Sequence, residues 1–386
     1  MKCLAIITTH PIQYNAPLYK LLAQRKNIAI KVFYTWGDTV LKKKFDPGFQ
    51  KNIEWDIPLL DGYDYEFVEN IAVDKGSHHF KGIDNPTLIH QIEAWQADAL
   101  LLYGWSFKSH LKLMRYFKGK KRILFRGDST LLDETKKFSI KKIVRKFFLK
   151  WVYRKADIAL YTGTANKHYY LKFGLKENQL VFAPHAIENS RFIKNPLSGW
   201  RNKLAIPETA IVFLFAGKLE TKKNPGLFLD AFIELEVPNT FLLIVGNGIL
   251  ENQLKQKWQS LSQTLQKQIF FIDFVNQQAM PSLYNACDVF VLPSQGPGET
   301  WGLAVNEAMA SGRAVLVSDK CGCAADLVIN GKNGYTFQSG NKEDLKRKIL
   351  LMASQKNMLV EMGGQSLSII SQWNFENVAA AIEAAV

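Results

Sequence analysis

Two doubly wound α/β domains are predicted for this 386-residue chain, and three observations predict them. Short apolar runs rich in β-branched and aromatic residues recur along the chain, with helical stretches between them. Most of these runs are continuously apolar rather than alternating, as strands buried on both faces of a parallel sheet are. Ten such runs are too many for one sheet of this kind, and the polar, Pro- and Gly-bearing stretch ENSRFIKNPLSGWRNKLAIPE (188–208) divides them.

The first domain, 1–190, is expected to carry CLAIITT (3–9), IAIKVFY (28–34), ALLLYG (99–104), RILFRG (122–127) and DIALYT (157–162) as strands. The second, 191–365, is expected to carry IVFLFAG (211–217), FLLIVG (241–246), IFFIDFV (269–275), DVFVLPS (288–294) and RAVLVSD (313–319). Helices such as PGLFLDAFIEL and EDLKRKILLMA connect them, and a cleft is expected between the domains. A hydrophobic content of 47% excludes wholesale disorder, and no apolar run reaches bilayer-spanning length. The opening MKCLAIITTHPIQY reads as a strand and its turn rather than a signal peptide. Cys3, Cys287, Cys321 and Cys323 are too few for a disulfide scaffold, and the C-x-C pair has no second pair to complete a zinc site. Reduced, structural cysteines and a cytoplasmic setting follow. The net charge of +14 points to a polyanionic neighbour, but no nucleic-acid-binding motif accompanies it, so nucleic acid is not expected.

Ligands of open α/β sheets bind outside the carboxyl ends of the strands, and there the chemistry collects. Lys218 follows one strand directly and Lys223 lies on the same loop. The stretch GPGETWGLAVNEAMASG (296–312) supplies a glycine-rich loop and then a helix N-terminus, a ready anion site. Two lysines and that terminus suggest a diphosphate. Glu307 lies inside the apolar helix, the second carboxylate of an E-x7-E pair with Glu299. An unpartnered carboxylate there is costly, whereas a ribose cis-diol offers it two donors. On that reading Glu307→Leu should fold at least as well as the parent chain. The alternatives are that Glu307 pairs with a lysine and that Glu299 merely favours a helix N-terminus.

GETWGLAVNEAMASGRAVLVSDKCG resembles the E-x-F-G-L-x-x-x-E-A-M-A pattern of retaining glycosyltransferases of family 4. FAGKLETKKNPGLFLDAF, FLLIVGNGIL, FIDFV, LYNACDVFVLPS and NGKNGYTFQSGNKEDL resemble further segments of that family in order, and APHAIENSRF resembles its interdomain stretch. The resemblance covers 183–386. It implies two Rossmann-like domains facing a cleft, the glycosyltransferase B type, with a final segment 366–386 whose helix returns to the first domain. It implies a nucleotide-diphosphate-sugar donor, no metal and no cofactor. By position, Lys218 and Lys223 would hold the diphosphate, Glu299 the transferred sugar and Glu307 the ribose. Gly217, Gly246, Thr300, Gly302 and Leu303 would approach the donor, and Phe274 and Val275 would line its base. Lys218 departs from the family's usual Arg. Arg126 stands where many members carry a His, with Asp128 close by.

His10, Gln13, Tyr14 and Asn15 are expected to face the acceptor, a glycan or lipid-linked hydroxyl; for His10 a structural role is the alternative, as an ion pair with Asp128 is for Arg126. His110 reads as structural, His185 as an anchor of the linker, Lys222 as solvated charge, and Cys321 and Cys323 as packing. A sugar-nucleotide epimerase and a catalytically impaired nucleotide-sugar-binding protein are the other functional classes. Finally, 136–155 (KKFSIKKIVRKFFLKWVYRK) holds nine Lys or Arg and no acid. Ile140, Ile143, Val144, Phe147, Phe148 and Trp151 form a stripe expected in the core, opposite Lys142, Arg145 and Lys146. That basic face suggests peripheral attachment to the inner face of an anionic membrane.

Overall fold

A computed structural model describes residues 1–38, 44–134, 139–193 and 199–386. The chain divides into two compact units: Met1–Lys43, Pro58–His185 and Phe375–Val386 form one, and Lys44–Ile57 with Ala186–Asn374 form the other. The strands in chain order are β1 (Cys3–Thr8), β2 (Ala29–Tyr34), β3 (Lys44–Asp46), β4 (Lys51–Ile53), β5 (Asp64–Phe67), β6 (Ala99–Tyr103), β7 (Arg122–Arg126), β8 (Ile158–Tyr161) and β9 (Leu180–Phe182). They continue as β10 (Ile211–Ala216), β11 (Thr240–Val245), β12 (Ile269–Ile272), β13 (Val289–Leu292), β14 (Ala314–Ser318) and β15 (Gly334–Phe337).

The first unit contains a seven-stranded sheet in the order β5-β2-β1-β6-β7-β8-β9, and every pairing is parallel. Its core gathers Phe33, Leu100, Leu102, Phe125 and the tyrosines of a helix over Thr164–Lys172. The second unit contains a six-stranded parallel sheet, β12-β11-β10-β13-β14-β15, over a core that includes Phe213, Phe215, Phe228 and Leu316. All six residues of β10 and all four of β13 are buried, as continuously apolar central strands should be. The hairpin β3–β4 is antiparallel and belongs to the second unit.

The ten expected strands form, while β5, β9, β15 and the hairpin were not expected. β5 is an edge strand reading DYEF, and β9 is three residues long, so neither shows a buried run. IFFIDFV stops at Ile272, because the Asn247 side chain, not a neighbouring strand, takes the Phe274 amide at 2.9 Å. The unit boundary lies at His185, not at 190. The segment rejoining the first unit begins at Phe375, not at 366, and Lys44–Ile57 leaves the first unit altogether. Residues 194–198 of the expected linker lie outside the described residues.

The stripe on 140–151 is a correction. In the helix Ile140–Tyr153, Ile140, Val144 and Phe147 are 73%, 62% and 67% exposed, and Ile143, Phe148 and Trp151 are exposed as well. The buried positions are Leu149, Val152 and Tyr153, so only the last turns of the helix enter the core. Arg145, expected on the solvated face, donates to Glu134 at 2.7 Å and to the Tyr169 hydroxyl at 3.1 Å. Lys136, Lys137 and Phe138 lie outside the described residues. Among the described residues no helix is long and apolar enough to cross a membrane.

Candidate functional site

Strand order reverses between β10 and β13 in the second sheet, and at such a reversal ligands of open α/β sheets bind outside the carboxyl ends of the strands. The loop after β10 carries Lys218 and Lys223, and the loop after β13 carries Ser294 to Gly302. The two loops meet through Gln295, whose amides donate to the Lys222 and Thr221 carbonyls, and in an ion pair: Lys223 Nζ lies 2.5 Å from Glu299 Oε2, which also accepts the Ser294 hydroxyl at 2.9 Å. Glu299 is 7% exposed and the Lys223 side chain 17%, so the pair is largely withdrawn from water. The loop behind β14 fixes this segment. Gly322 N donates to the Glu299 carbonyl at 3.2 Å, and Cys323 N to that of Trp301 at 3.1 Å. A Cβ on Gly322 would stand 1.7 Å from the Thr300 carbonyl oxygen, so no side chain fits there. Cys321 and Cys323 are buried behind that loop, and burial pushes both thiols up.

Gly302 caps the helix Leu303–Ala310 with φ at +101°, a conformation that favours glycine. Leu303 and Ala304 of its first turn are only half buried, while Val305 to Ala310 are buried. Glu307 is 3% exposed, and Tyr284 donates its hydroxyl to Oε2 at 2.8 Å. The carboxylate therefore has a phenol partner in the protein, and the expectation of an unpartnered Glu307 is corrected. Gly246, expected with Gly217 to approach the donor, also has a packing task. A Cβ on Gly246 would stand 2.1 Å from the Gly217 carbonyl oxygen, so glycine lets the ends of β10 and β11 touch.

Lys218 Nζ lies 2.9 and 3.1 Å from the two carboxylate oxygens of Asp46, on the hairpin, and 5.0 Å from the centre of the Phe49 ring. Burial works against the Asp46 charge, but Lys218 and the amides of Phe49 and Gly48 outweigh it and hold the carboxyl below its ordinary range. Phe274 meets Phe49 and Trp55 edge-on at 5.0 and 6.2 Å, with Val275 half buried beside it.

In the first unit the order reverses at β1, which β2 and β6 flank. His10, Gln13, Tyr14 and Asn15 follow β1 and are half buried. His10 Nδ1 shares a hydrogen bond of 2.8 Å with the Thr9 hydroxyl, and its ring lies edge-on to Trp36. Arg126, expected on the acceptor side, is 7% exposed and donates to the Ala183 and Pro184 carbonyls at 2.9 and 3.0 Å. Its guanidinium thus anchors backbone. His185 joins it: burial and the Arg126 charge push the imidazole down to about 4, against an opposing pull from Asp128. His110 is buried, pushed down to about 4 by that burial, and bonded to the Gly104 carbonyl, which fits the structural role expected of it. One group of side chains among the described residues has metal-ligand spacing, the loop cluster of exposed Asp74 and His78 with half-buried His79, and none of these was a predicted site residue.

Sequence reasoning missed Asp46, Phe49, Tyr284 and Ser294. Tyr284 and Ser294 lay in segments already singled out, LYNAC and DVFVLPS. Asp46 and Phe49 carried no local signal.

Residues 198–366 match the family model described as Glycosyl transferases group 1. Lipopolysaccharide 1,2-N-acetylglucosaminetransferase of Salmonella typhimurium is 28% identical over 209 residues, 52% of this chain and 54% of that protein. UDP-Gal:alpha-D-GlcNAc-diphosphoundecaprenol alpha-1,3-galactosyltransferase of Escherichia coli is 34% identical over 157 residues, 40% of this chain and 39% of that protein. The chain thus spans about half the length, or less, of these curated relatives. Among solved structures, sucrose-phosphate synthase from Thermosynechococcus elongatus superposes with a TM-score of 0.73 at 16% identity, over 99% of this chain and 97% of that one. HepE of Anabaena, solved in complex with UDP-glucose, superposes with a TM-score of 0.68 at 16% identity, over 99% of this chain and 98% of that one. At these identities the likeness is one of fold.

Proposed function

We propose that the protein is a metal-independent, retaining glycosyltransferase of the glycosyltransferase B type, a reading supported by the match of residues 198–366 to the glycosyl transferases group 1 model and by the likeness of fold to sucrose-phosphate synthase. It moves a sugar from a nucleotide-diphosphate sugar to an acceptor hydroxyl in cell-surface glycan or glycolipid synthesis. The observation that carries this reading is the ion pair of Lys223 with Glu299 at the β10–β13 reversal, between the loop that also carries Lys218 and the loop that leads to the Gly302 helix start. The names of the curated relatives support it, being transferases of lipopolysaccharide and of a diphosphoundecaprenol-linked sugar.

In this mechanism the acceptor oxygen bonds to the anomeric carbon on the face from which the diphosphate departs, and the acceptor's proton passes to a diphosphate oxygen. Charge grows on the leaving diphosphate. Lys218, Lys223 and the amides at the start of the Leu303–Ala310 helix stabilise it, commonly the largest catalytic term in such a site. Glu299 holds the sugar hydroxyls next to Lys223, and Glu307 the ribose. Thr300, Leu303, Phe274 and Val275 complete the donor site, and His10, Tyr14, Asn15 and Asp128 stand on the acceptor side.

A panel of labelled UDP-, GDP- and ADP-sugars tests the assignment. One donor should release nucleoside diphosphate slowly alone and much faster with a lipid-linked or oligosaccharide acceptor. Interconversion of the sugar without acceptor would make the protein an epimerase. Binding without turnover under any condition would make it a binding protein.

The exposed stripe on Ile140–Tyr153 supports a peripheral membrane site on the cytoplasmic face. Apolar side chains at Ile140, Val144 and Phe147 stand out from a segment that contains no acid. A helix of this kind lies in the headgroup plane, its apolar residues in the acyl boundary, and each nearby Lys or Arg contributes about 1 kcal/mol on an anionic surface. Flotation with phosphatidylglycerol vesicles should recover the protein at low salt, and less of it at high salt. Val144→Ser with Phe147→Ser should abolish that recovery and leave donor binding intact. Equal recovery of this variant would show that the stripe does not insert.

A further inference from the structure

The hairpin Lys44–Ile57 comes from the first half of the sequence, yet it folds on the second unit. Its attachments gather on the segment after β12. Lys51 pairs with Asp273, Asn276 donates to the Glu54 carbonyl at 2.7 Å, and Gln278 N to Asp56 at 3.2 Å. Phe49 and Trp55 flank Phe274. From this footing the hairpin reaches Lys218. Asp46 offers both oxygens at 2.9 and 3.1 Å, and Phe49 presents its ring at 5.0 Å. Gly48 lies so close that a Cβ there would stand 2.5 Å from Lys218 Cδ.

Two oxygens bearing negative charge at hydrogen-bond distance are what a diphosphate would present to this lysine. Asp46 thus stands on Lys218 as an anion tethered to the chain. A diphosphate brought against the same ammonium meets a like charge a few ångströms away, and the two repel unless one withdraws. The side chains of Lys218 and Asp46 are 33% and 31% exposed, so water screens the pair and the bond is a weak one that can exchange.

We propose that the hairpin is a tethered competitor of the donor: Asp46 holds Lys218 in the empty site, a nucleoside diphosphate displaces it, and its return helps expel the spent diphosphate. This rests on the donor-site reading given above. A carboxylate that merely positioned Lys218 would have the opposite sign, because its loss would weaken binding.

Calorimetric titration of the full chain with UDP, GDP and ADP separates these cases. One of the three should bind, and Asp46→Asn should bind it about two- to fivefold more tightly, the range set by an exposed ion pair. Its dissociation, followed by stopped-flow displacement, should slow by a similar factor. In a Lys218→Gln background Asp46→Asn should change nothing. Asp46→Ser reports the same quantities should the Asn variant fail to fold. Unchanged or weaker binding by the Asp46 variants, with the parent chain binding normally, overturns the competitor and leaves the donor site standing. Binding of none of the three nucleotides to parent or variant overturns both.

Discussion

Lys223→Ala should lower turnover of the nucleotide sugar by roughly 10²–10³-fold, the usual effect of removing one preorganised group from a site of developing charge. Donor binding should change far less, because the charge on the diphosphate is greatest as it leaves. The substitution has a second effect that the ion pair makes calculable. Glu299 would keep its bond to Ser294 but lose its ammonium partner in a site almost closed to water. Removing one member of a buried pair typically costs about 3–5 kcal/mol, so the variant should also unfold at lower denaturant. The double variant Lys223→Ala/Glu299→Gln separates the two effects, since it removes the stranded charge. It should regain much of the lost stability in urea melts and none of the turnover. Recovery of turnover would mean that Lys223 only neutralises Glu299. Turnover of Lys223→Ala within twofold of the parent, roughly 0.4 kcal/mol, would sink the diphosphate assignment.

Glu307 offers a second contrast, between two substitutions at one atom. Glu307→Gln keeps an oxygen able to accept the Tyr284 hydroxyl and removes only the charge. Donor binding should weaken by about 1–3 kcal/mol, roughly 5- to 150-fold, with little change in the ligand-free unfolding midpoint. Glu307→Leu removes the acceptor too. Tyr284 is fully buried, and losing its hydrogen bond to a charged group costs about 1.5–3 kcal/mol of stability. The Leu variant should therefore be less stable than the parent, which reverses the expectation drawn from the sequence. Calorimetry and urea melts on the two variants check both statements. Donor affinity unchanged in Glu307→Gln would remove the ribose role.

What the sequence made legible and what it hid divide along a physical line. β10, β11, β13 and β14 were readable because a strand covered on both faces has to be apolar throughout. Lys218, Lys223, Glu299 and Glu307 could be placed at the carboxyl end of the second sheet because each follows such a strand or lies in the next helix, and the structure joins Lys223 to Glu299. The partners of these residues were not readable. Asp46 is 172 positions from Lys218, and no periodicity links them. Tyr284 is 23 positions from Glu307, on another helix. The stripe on 140–151 failed for another reason: helical spacing of apolar residues reports a coherent face without telling what covers it. Arg126 shows the same limit for charge, since two backbone carbonyls that only the fold brings near receive its guanidinium.

The return of Phe375–Val386 to the first unit has a consequence for the order in which the protein can be made. The helix starting at Phe375 supplies Glu383, which receives Arg25 at 2.7 Å and Asn27 at 2.9 Å. At ordinary ribosomal rates, roughly ten to forty seconds separate the synthesis of His185 from that of Phe375. Throughout that interval the first unit has every strand of its sheet and no closing helix, while the second unit assembles behind it. The first unit is thus started first and finished last. Its nascent state leaves open, for the whole time that its neighbour takes to emerge, the apolar surface that Phe375, Val378 and Ile382 later cover.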